Sequence, residues 1–340
     1  MPVFEAGTDP AIILVEKRKP ANEEFTAAVI KTEEEIMRLV EVIGNRGFKL
    51  EVSSLAADGW TLAQSNILNL MKKLLNSGTP LGKYIHGRFY RGVLTGFNEA
   101  FVIDEATKNR LIVEDPASAE LIKPWVRGRD IRKWRAEWAG FYVIFTRRGV
   151  DIEKYPAIKR HLEKFREDLE PKKSESDQKG RKPGSYKWYE IQDNIAYYEE
   201  FERPKIIYAD IAKLMRASYD NSGVFCANTL YIIPTDDFSL IGILHSCLFD
   251  WYSRQNFQAL GDPWKGGRLR FIAQYMEKVP IPLLTDEQKA PIIKIVKQIL
   301  ADPMGQDVGR LEAEIDLLVY RLYGLTEEEI AIVERKIGGK

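Results

Sequence analysis

The chain has 340 residues and carries 50 lysines and arginines against 50 aspartates and glutamates, a formal net charge of zero. Its 45% apolar and 29% charged residues are those of an ordinary globular protein, long enough for two domains and a helical tail. No apolar run approaches the ~20 residues that span a bilayer, Met1–Phe4 lacks the basic lead of a signal peptide, and Cys226 and Cys247 suit a reducing compartment, so a cytoplasmic protein with no membrane partner is expected.

In chain order, Ala11–Lys17 and Phe25–Lys31 read as strands joined by a hairpin loop over Arg18–Glu24. Thr32 and Glu35 form a capping box that opens a helix, with Ile36, Leu39, Val40 and Ile43 as its buried stripe and Gly44 and Gly47 as its end. Lys49–Ser53 is a short strand. A second helix over Ala63–Asn76 buries Ile67, Leu70, Met71 and Leu74 and stops at Gly78. From Leu81 to Ile281 the pattern changes to short strands between turns: Phe89–Val93, Ala100–Asp104, Phe141–Thr146, Pro204–Asp210 and Val224–Ile233. Helices are expected at Pro116–Ile122, Ala157–Leu169 and Leu240–Arg254. Pro171–Lys187, rich in Lys, Ser, Gly and Asp and without apolar periodicity, reads as a mobile loop. The tail is helical, with capping boxes at Thr285/Gln288 and Thr326/Glu329 and a stripe of Leu311, Ile315, Leu318, Val319 and Leu322 ended by Gly324. The fold class is α+β: a mixed domain of short strands and interleaved helices at 61–282, a helical segment at 283–340, and a small α/β segment at 1–60.

Zero net charge argues against a nucleic-acid partner, but its distribution argues for one. Residues 121–220 carry a net +6, whereas 1–80 carry −2 and 281–340 carry −3. A basic middle between acidic ends presents one positive face, the footprint of phosphate binding. Four stretches concentrate it. Arg91, Thr95 and Asn98 lie around the turn at Gly96, where glycine meets a need for positive φ. The turn reads either as a hairpin with Asn98 bonding its own backbone or as a base contact, since asparagine pairs bidentately with adenine. Arg127, Arg129, Arg132, Lys133 and Arg135 put five cations in nine residues, with Asp130 placed to orient one arginine and Trp134 to pin the segment. Lys179, Arg181 and Lys182, with Lys172, Lys173 and Lys187, sit on the predicted mobile loop, where Gly180 and Gly184 would let the chain follow a phosphate backbone. Lys265, Arg268 and Arg270 follow a Gly-rich turn, Gly261-Asp262-Pro263-Trp264, that lacks the second proline and preceding strand of an amino-methyltransferase motif.

Catalytic constellations are not found. No Gly-rich turn follows an N-terminal strand, and His86, His161 and His245 are far apart and near no metal-ligand spacing. Asp210-Ile211-Ala212-Lys213 has one residue too many for a magnesium nuclease signature and no partner acid. The residues alone leave three classes open: a DNA-reading module, a nuclease with an unrecognised active site, and a protein-interaction scaffold.

The ordered motifs resemble a known family. Arg91-Gly92-Val93-Leu94-Thr95-Gly96-Phe97-Asn98-Glu99-Ala100-Phe101 and Lys123-Pro124-Trp125-Val126-Arg127-Gly128-Arg129-Asp130-Ile131 are similar to the opening of the TaqI-like specificity domain of Type II restriction-modification adenine methyltransferases. Tyr155–Leu162, Phe201–Tyr208, Leu244–Phe249, Val279–Pro282 and Leu317–Thr326 resemble later segments of that domain, so the likeness runs over roughly residues 75–335. Residues 1–60 look like the last strands of the methyltransferase domain that precedes it, without the cofactor or catalytic motifs. The resemblance implies sequence-specific recognition of double-stranded DNA, a methyltransferase domain or subunit as partner, and S-adenosylmethionine and magnesium as cofactors of the parent enzyme, none in this chain. Base contacts vary between members of the family. The expected DNA-binding residues are therefore those read above: Arg91, Thr95, Asn98, Arg127, Arg129, Arg132, Lys133, Lys179, Arg181, Lys182, Lys265, Arg268 and Arg270, with no catalytic or metal-binding residue.

Overall fold

The computed structural model describes residues 24–30, 32–54, 65–174 and 177–337. The predicted strand at Ala11–Lys17 and most of its hairpin loop lie outside them. The backbone divides into two units, Met1–Leu74 and Leu75–Lys340.

In the first unit, β1 (Glu24–Ala27) pairs antiparallel with β2 (Phe48–Glu51), across α1 (Glu33–Met37) and α2 (Leu39–Arg46). Thr32 caps α1 by accepting from the Glu35 N–H, and the single predicted helix breaks at Arg38. Of the predicted stripe, Ile36, Val40 and Ile43 are exposed and Leu39 half-buried, and Val42 is buried instead. Leu50 is the other buried apolar residue of this hairpin and helix pair, while Met37 and Val40 are 88% and 87% exposed. α3 (Ser65–Ser77) buries Ile67, Leu70, Met71 and Leu74, as its 3.6-residue pattern predicts.

The second unit opens with β3 (Thr79–Pro80), α4 (Leu81–Tyr84), β4 (Tyr90–Arg91), α5 (Asn98–Phe101) and β5 (Val102–Ile103). α6 (Glu105–Glu114) was not legible in the apolar pattern, having one buried residue, Leu111; Asp104 caps it by accepting from the Thr107 N–H at 2.8 Å. After β6 (Ile122–Val126) and β7 (Phe141–Ile144) come α7 (Pro156–Glu163) and α8 (Arg166–Leu169). β8 (Lys205–Ala209), β9 (Ile211–Ala212), β10 (Ala217–Asp220), β11 (Phe225–Cys226) and β12 (Leu230–Pro234) follow. α9 (Phe238–Leu244) and α10 (Cys247–Asn256) replace one predicted helix, because Ser246 turns out of the helix and caps α10 at the Phe249 N–H. β13 (Ala259–Leu260), β14 (Arg268–Arg270), α11 (Ala273–Met276) and β15 (Pro280–Ile281) precede the tail of α12 (Asp286–Ala301), α13 (Val308–Leu322) and α14 (Glu327–Ile337).

The expected α+β class holds. Two four-stranded sheets run in the orders β10-β8-β12-β4 and β11-β6-β7-β5, and a third of three strands runs β13-β14-β9. Two of the chain's crossings between these sheets are the shortest. Ala227–Thr229 carries it from β11 in one sheet to β12 in the other, and the single residue Asp210 carries it from β8 to β9 in the third. The predicted strand Val224–Ile233 is therefore two strands in two sheets. The core that fixes these crossings is aromatic: Phe225 packs on Phe201 at 4.9 Å and on Phe145 at 4.8 Å, beside buried Trp125 and Ile207. Lys205 is fully buried at the start of β8 and pairs with Asp220 at 2.5 Å, so its charge is compensated where it enters the core.

Both capping boxes of the tail form, Thr285 with Gln288 and Thr326 with Glu329. Gly242 on α9 lets α12 approach closely, since a Cβ there would stand 2.7 Å from the Ile292 side chain. Burial pushes both cysteine thiols up to about 12, with Cys226 fully buried and Cys247 half-buried.

Candidate nucleic-acid interface

The turn at Ala227–Leu230, closed by the Leu230 N–H donating to the Ala227 carbonyl at 2.9 Å, gathers three basic segments that are far apart in sequence. The first arrives through Gly92, whose N–H donates to the Leu230 carbonyl, and Val93, whose N–H donates to the Cys226 carbonyl. Only glycine fits here, because a Cβ at Gly92 would lie 2.0 Å from the Ala227 carbonyl oxygen. Arg91 is thereby held at the surface, its Nε donating to the Asn228 carbonyl at 2.8 Å. The second segment arrives through β6: the Ala227 N–H donates to the Val126 carbonyl, and the Gly128 N–H to the Thr229 hydroxyl at 3.3 Å. The third arrives through Asp210, whose N–H donates to the Thr229 carbonyl and whose carbonyl accepts from the Phe271 N–H, next to Arg270.

Each cation of this surface is committed to a different degree. Arg127 forks onto Asp130 at 2.8 and 2.9 Å and lies 4.3 Å from the Phe141 ring centre, so the acid does orient an arginine. Burial raises the Asp130 carboxyl, but the Arg127 side chain and backbone N–H outweigh it and hold the group below its ordinary range. Arg132 and Arg135 both pair with Glu137. Lys133 and the Trp134 indole both reach Glu312 on α13, at 2.8 and 2.6 Å, and Trp134 is buried against His245. Arg129 is exposed, and its side chain has neither hydrogen bond nor ion pair among the described residues. Lys265 and Arg268, at and after the turn that Asp262 caps, are exposed in the same way. On β14 the alternation puts Leu269 in the core, with Arg268 and Arg270 on the opposite face.

Other expected residues lie elsewhere and in different roles. Thr95 is buried: its hydroxyl donates to the Asn98 side-chain oxygen and accepts from the Phe97 N–H. It is a turn-forming residue and not a ligand contact, whereas Asn98 remains exposed at the start of α5. Arg181 is 3% exposed, and its donors go to the carbonyls of Leu169, Thr95, Glu190, Lys187 and Trp188. A guanidinium has five N–H donors, so nothing remains for a phosphate. Burial lowers its pKa to about 10. Gly96, at φ 84°, is required beside it, because a Cβ would meet the Arg181 side chain at 2.7 Å. The loop that carries Arg181, predicted to be mobile, is instead pinned at its base by Arg181 N–H to Glu170 carbonyl and Lys172 N–H to Arg181 carbonyl bonds. Lys179 pairs with Glu167 at the surface, and Lys182 is exposed.

The sequence brought up Asp210 and Lys213 only as a failed nuclease signature and did not single out Asn228, Thr229 and Tyr231, the residues that join these motifs; Gly92, which packs on the Ala227 carbonyl, is the signal that could have pointed to them. Among the described residues no group of three or more His, Cys, Asp and Glu side chains is placed to hold a metal ion, and no helix is long and apolar enough to cross a membrane.

Residues 123–281 match the model of the TaqI-like C-terminal specificity domain. The chain is 27% identical over 282 residues to the Type II methyltransferase M.PaeR7I of Pseudomonas aeruginosa, covering 80% of this chain and 44% of that one. It is 27% identical over 244 residues to M.MjaIV of Methanocaldococcus jannaschii, covering 67% and 76%. M.XhoI of Xanthomonas vasicola is 26% identical, covering 82% and 47%. The chain thus spans less than half of M.PaeR7I and M.XhoI. The Type IIL restriction-modification enzyme MmeI, solved in complex with DNA, shares the fold at a TM-score of 0.52 and 16% identity, over 74% of this chain and 35% of its own.

Proposed function

We propose that the chain is a target-recognition module for double-stranded DNA that works with a methyltransferase domain and performs no chemical step of its own. The observation that carries this is the convergence of Arg91, Arg129 and Arg270 on one turn, with Arg129, Lys265 and Arg268 left unpaired among the described residues at the surface. Exposed cations brought together on one surface are what phosphates and base edges require. MmeI, which shares the fold, was solved on DNA, and the sequence relatives are Type II methyltransferases. In such an enzyme S-adenosylmethionine and the target adenine would be held by the partner domain. The exposed apolar residues Met37, Val40 and Val52 of the first unit fit a surface that a methyltransferase domain covers.

Titrating a mixed-sequence duplex tests the proposal. Three or four phosphate contacts predict that affinity falls about 100-fold between 50 and 200 mM salt. Adding S-adenosylmethionine and magnesium should leave the DNA unmethylated and uncut. Absence of binding at 50 mM salt, or product formation by the purified chain, overturns the reading.

A further inference from the structure

Asp210 stands where cations are expected. It is the residue between two sheets, and both its backbone groups are committed, the N–H to the turn at Thr229 and the carbonyl to Phe271. Those bonds preset the direction of its side chain. In the sheet beside it, Arg91, Tyr231 and Tyr208 are cross-strand partners in register and so share one face, with the two tyrosine rings stacked at 5.7 Å. Asp210 follows Ala209, the strand partner of Leu230 beside Tyr231, and precedes Ile211, the strand partner of Arg270, so the backbone brings Arg91, Tyr231, Asp210 and Arg270 to one corner where the two sheets meet. Neither arginine forms an ion pair with the carboxylate among the described residues. Arg91 gives its Nε to Asn228, Arg270 reaches Gln258 at 3.4 Å, and the Arg270 Nε is buried without a hydrogen-bond partner.

We infer that Asp210 is a base-reading residue: its carboxylate accepts a hydrogen bond from the exocyclic amino group of a cytosine or adenine in the major groove, with Arg91 and Arg270 flanking it. The inference rests on the DNA-recognition reading of this same surface. A carboxylate repels phosphate, so it does not serve a surface that only grips the backbone. The partners that suit it in the groove are the amino donors at cytosine N4 and adenine N6. The two arginines keep the site positive in sum, and they supply donors for the neighbouring guanine or phosphate oxygens. Burial pushes the Asp210 carboxyl above its ordinary range although Arg91 and Arg270 pull it down, as befits an acceptor that lacks its partner.

The test is selection of bound sequences from a randomised duplex pool by the full chain at low salt, for the wild type, Asp210→Asn and Asp210→Ala. Thermal melting serves as the check on folding. The wild type should enrich a pair that presents an amino donor at one position. Asp210→Ala should flatten preference there by roughly 5- to 100-fold and leave other positions unchanged. It should also bind random duplex more tightly, because a negative charge has gone. Asp210→Asn, nearly the same shape, should move the choice at that position toward adenine, which asparagine reads bidentately. Unchanged preference in both variants, or equal flattening at all positions, overturns the inference. A wild type that enriches a site whose preferences both variants keep overturns the inference alone, whereas one that binds duplex but enriches no base overturns target recognition as well and leaves only phosphate-based binding standing. A wild type that binds no duplex overturns the recognition reading and this inference with it.

Discussion

The loop at residues 170–190 and the hairpin at 258–271 are both short, Gly-bearing and basic, and they spend their charge in opposite ways. In the loop, Arg181 points inward and binds the backbone of the segments around it, and Lys179 is paired with Glu167. In the hairpin, the backbone closes on itself through the Asp262 carbonyl, which accepts from the Lys265 and Gly267 N–H groups, and the cation that braces it, Arg254 donating to the Pro263 carbonyl, comes from α10 outside it. Lys265 and Arg268 are therefore left at the surface. Whether a basic loop is available to a ligand depends on how its own main-chain groups are satisfied, which charge counting does not reveal.

The largest effect that separates the two regions is at Arg181. Replacing it with alanine leaves several buried carbonyls without donors and should cost at least about 3 kcal/mol, read as a lower urea midpoint. Arg181→Lys should recover little of this, since one ammonium does not span five carbonyls. An unchanged midpoint accompanied by weaker DNA binding would return Arg181 to the surface role the sequence suggested.

Next in size is the contrast between Arg127 and Arg129. Arg129→Ala should leave stability unchanged and relax preference at one base pair by roughly 1–3 kcal/mol. Arg127→Ala should lower stability by roughly 1–3 kcal/mol because it strands Asp130. Arg127 lowers the folded-state pKa of Asp130, so this contribution is present above the unfolded carboxyl range near pH 4 and is lost as pH falls through the folded value. In Arg127→Ala the loss should begin at higher pH. If both variants melt alike, the two arginines do not divide the work as their contacts indicate.

The smallest effect sharpens the hairpin. Lys265→Ala with Arg268→Ala should reduce the slope of log affinity against log salt by about 2, with melting unchanged. Lys179→Ala in the loop should move stability by less than ~0.5 kcal/mol and the salt slope by less than one contact, since an exposed ion pair contributes little. A larger slope change at Lys179 than at the hairpin pair would reverse the assignment of the two regions.

Local signals carried the caps of the tail at Thr285 and Thr326, the buried face of α3, the turn at Gly96 and the α+β class, because each depends on residues within one or two turns of each other. The resemblance to the specificity domain was legible for a similar reason, as an ordered series of short motifs. The first helix was not: its spacing fits one continuous amphipathic helix, but the chain breaks at Arg38 and buries Val42 in place of Ile36 and Val40. The candidate site was legible only in pieces. Arg91, Arg129 and Arg270 stood out as cations, but their convergence depends on two sheet crossings, at Ala227–Thr229 and Asp210, fixed by backbone bonds between residues distant in sequence, such as Gly92 to Leu230 and Phe271 to Asp210. The order of residues determined that this chain, neutral in sum, carries unevenly distributed positive charge. Only the tertiary structure decided which of it is saturated inside and which faces solvent, because burial and hydrogen-bond satisfaction belong to neighbours that the linear order does not name.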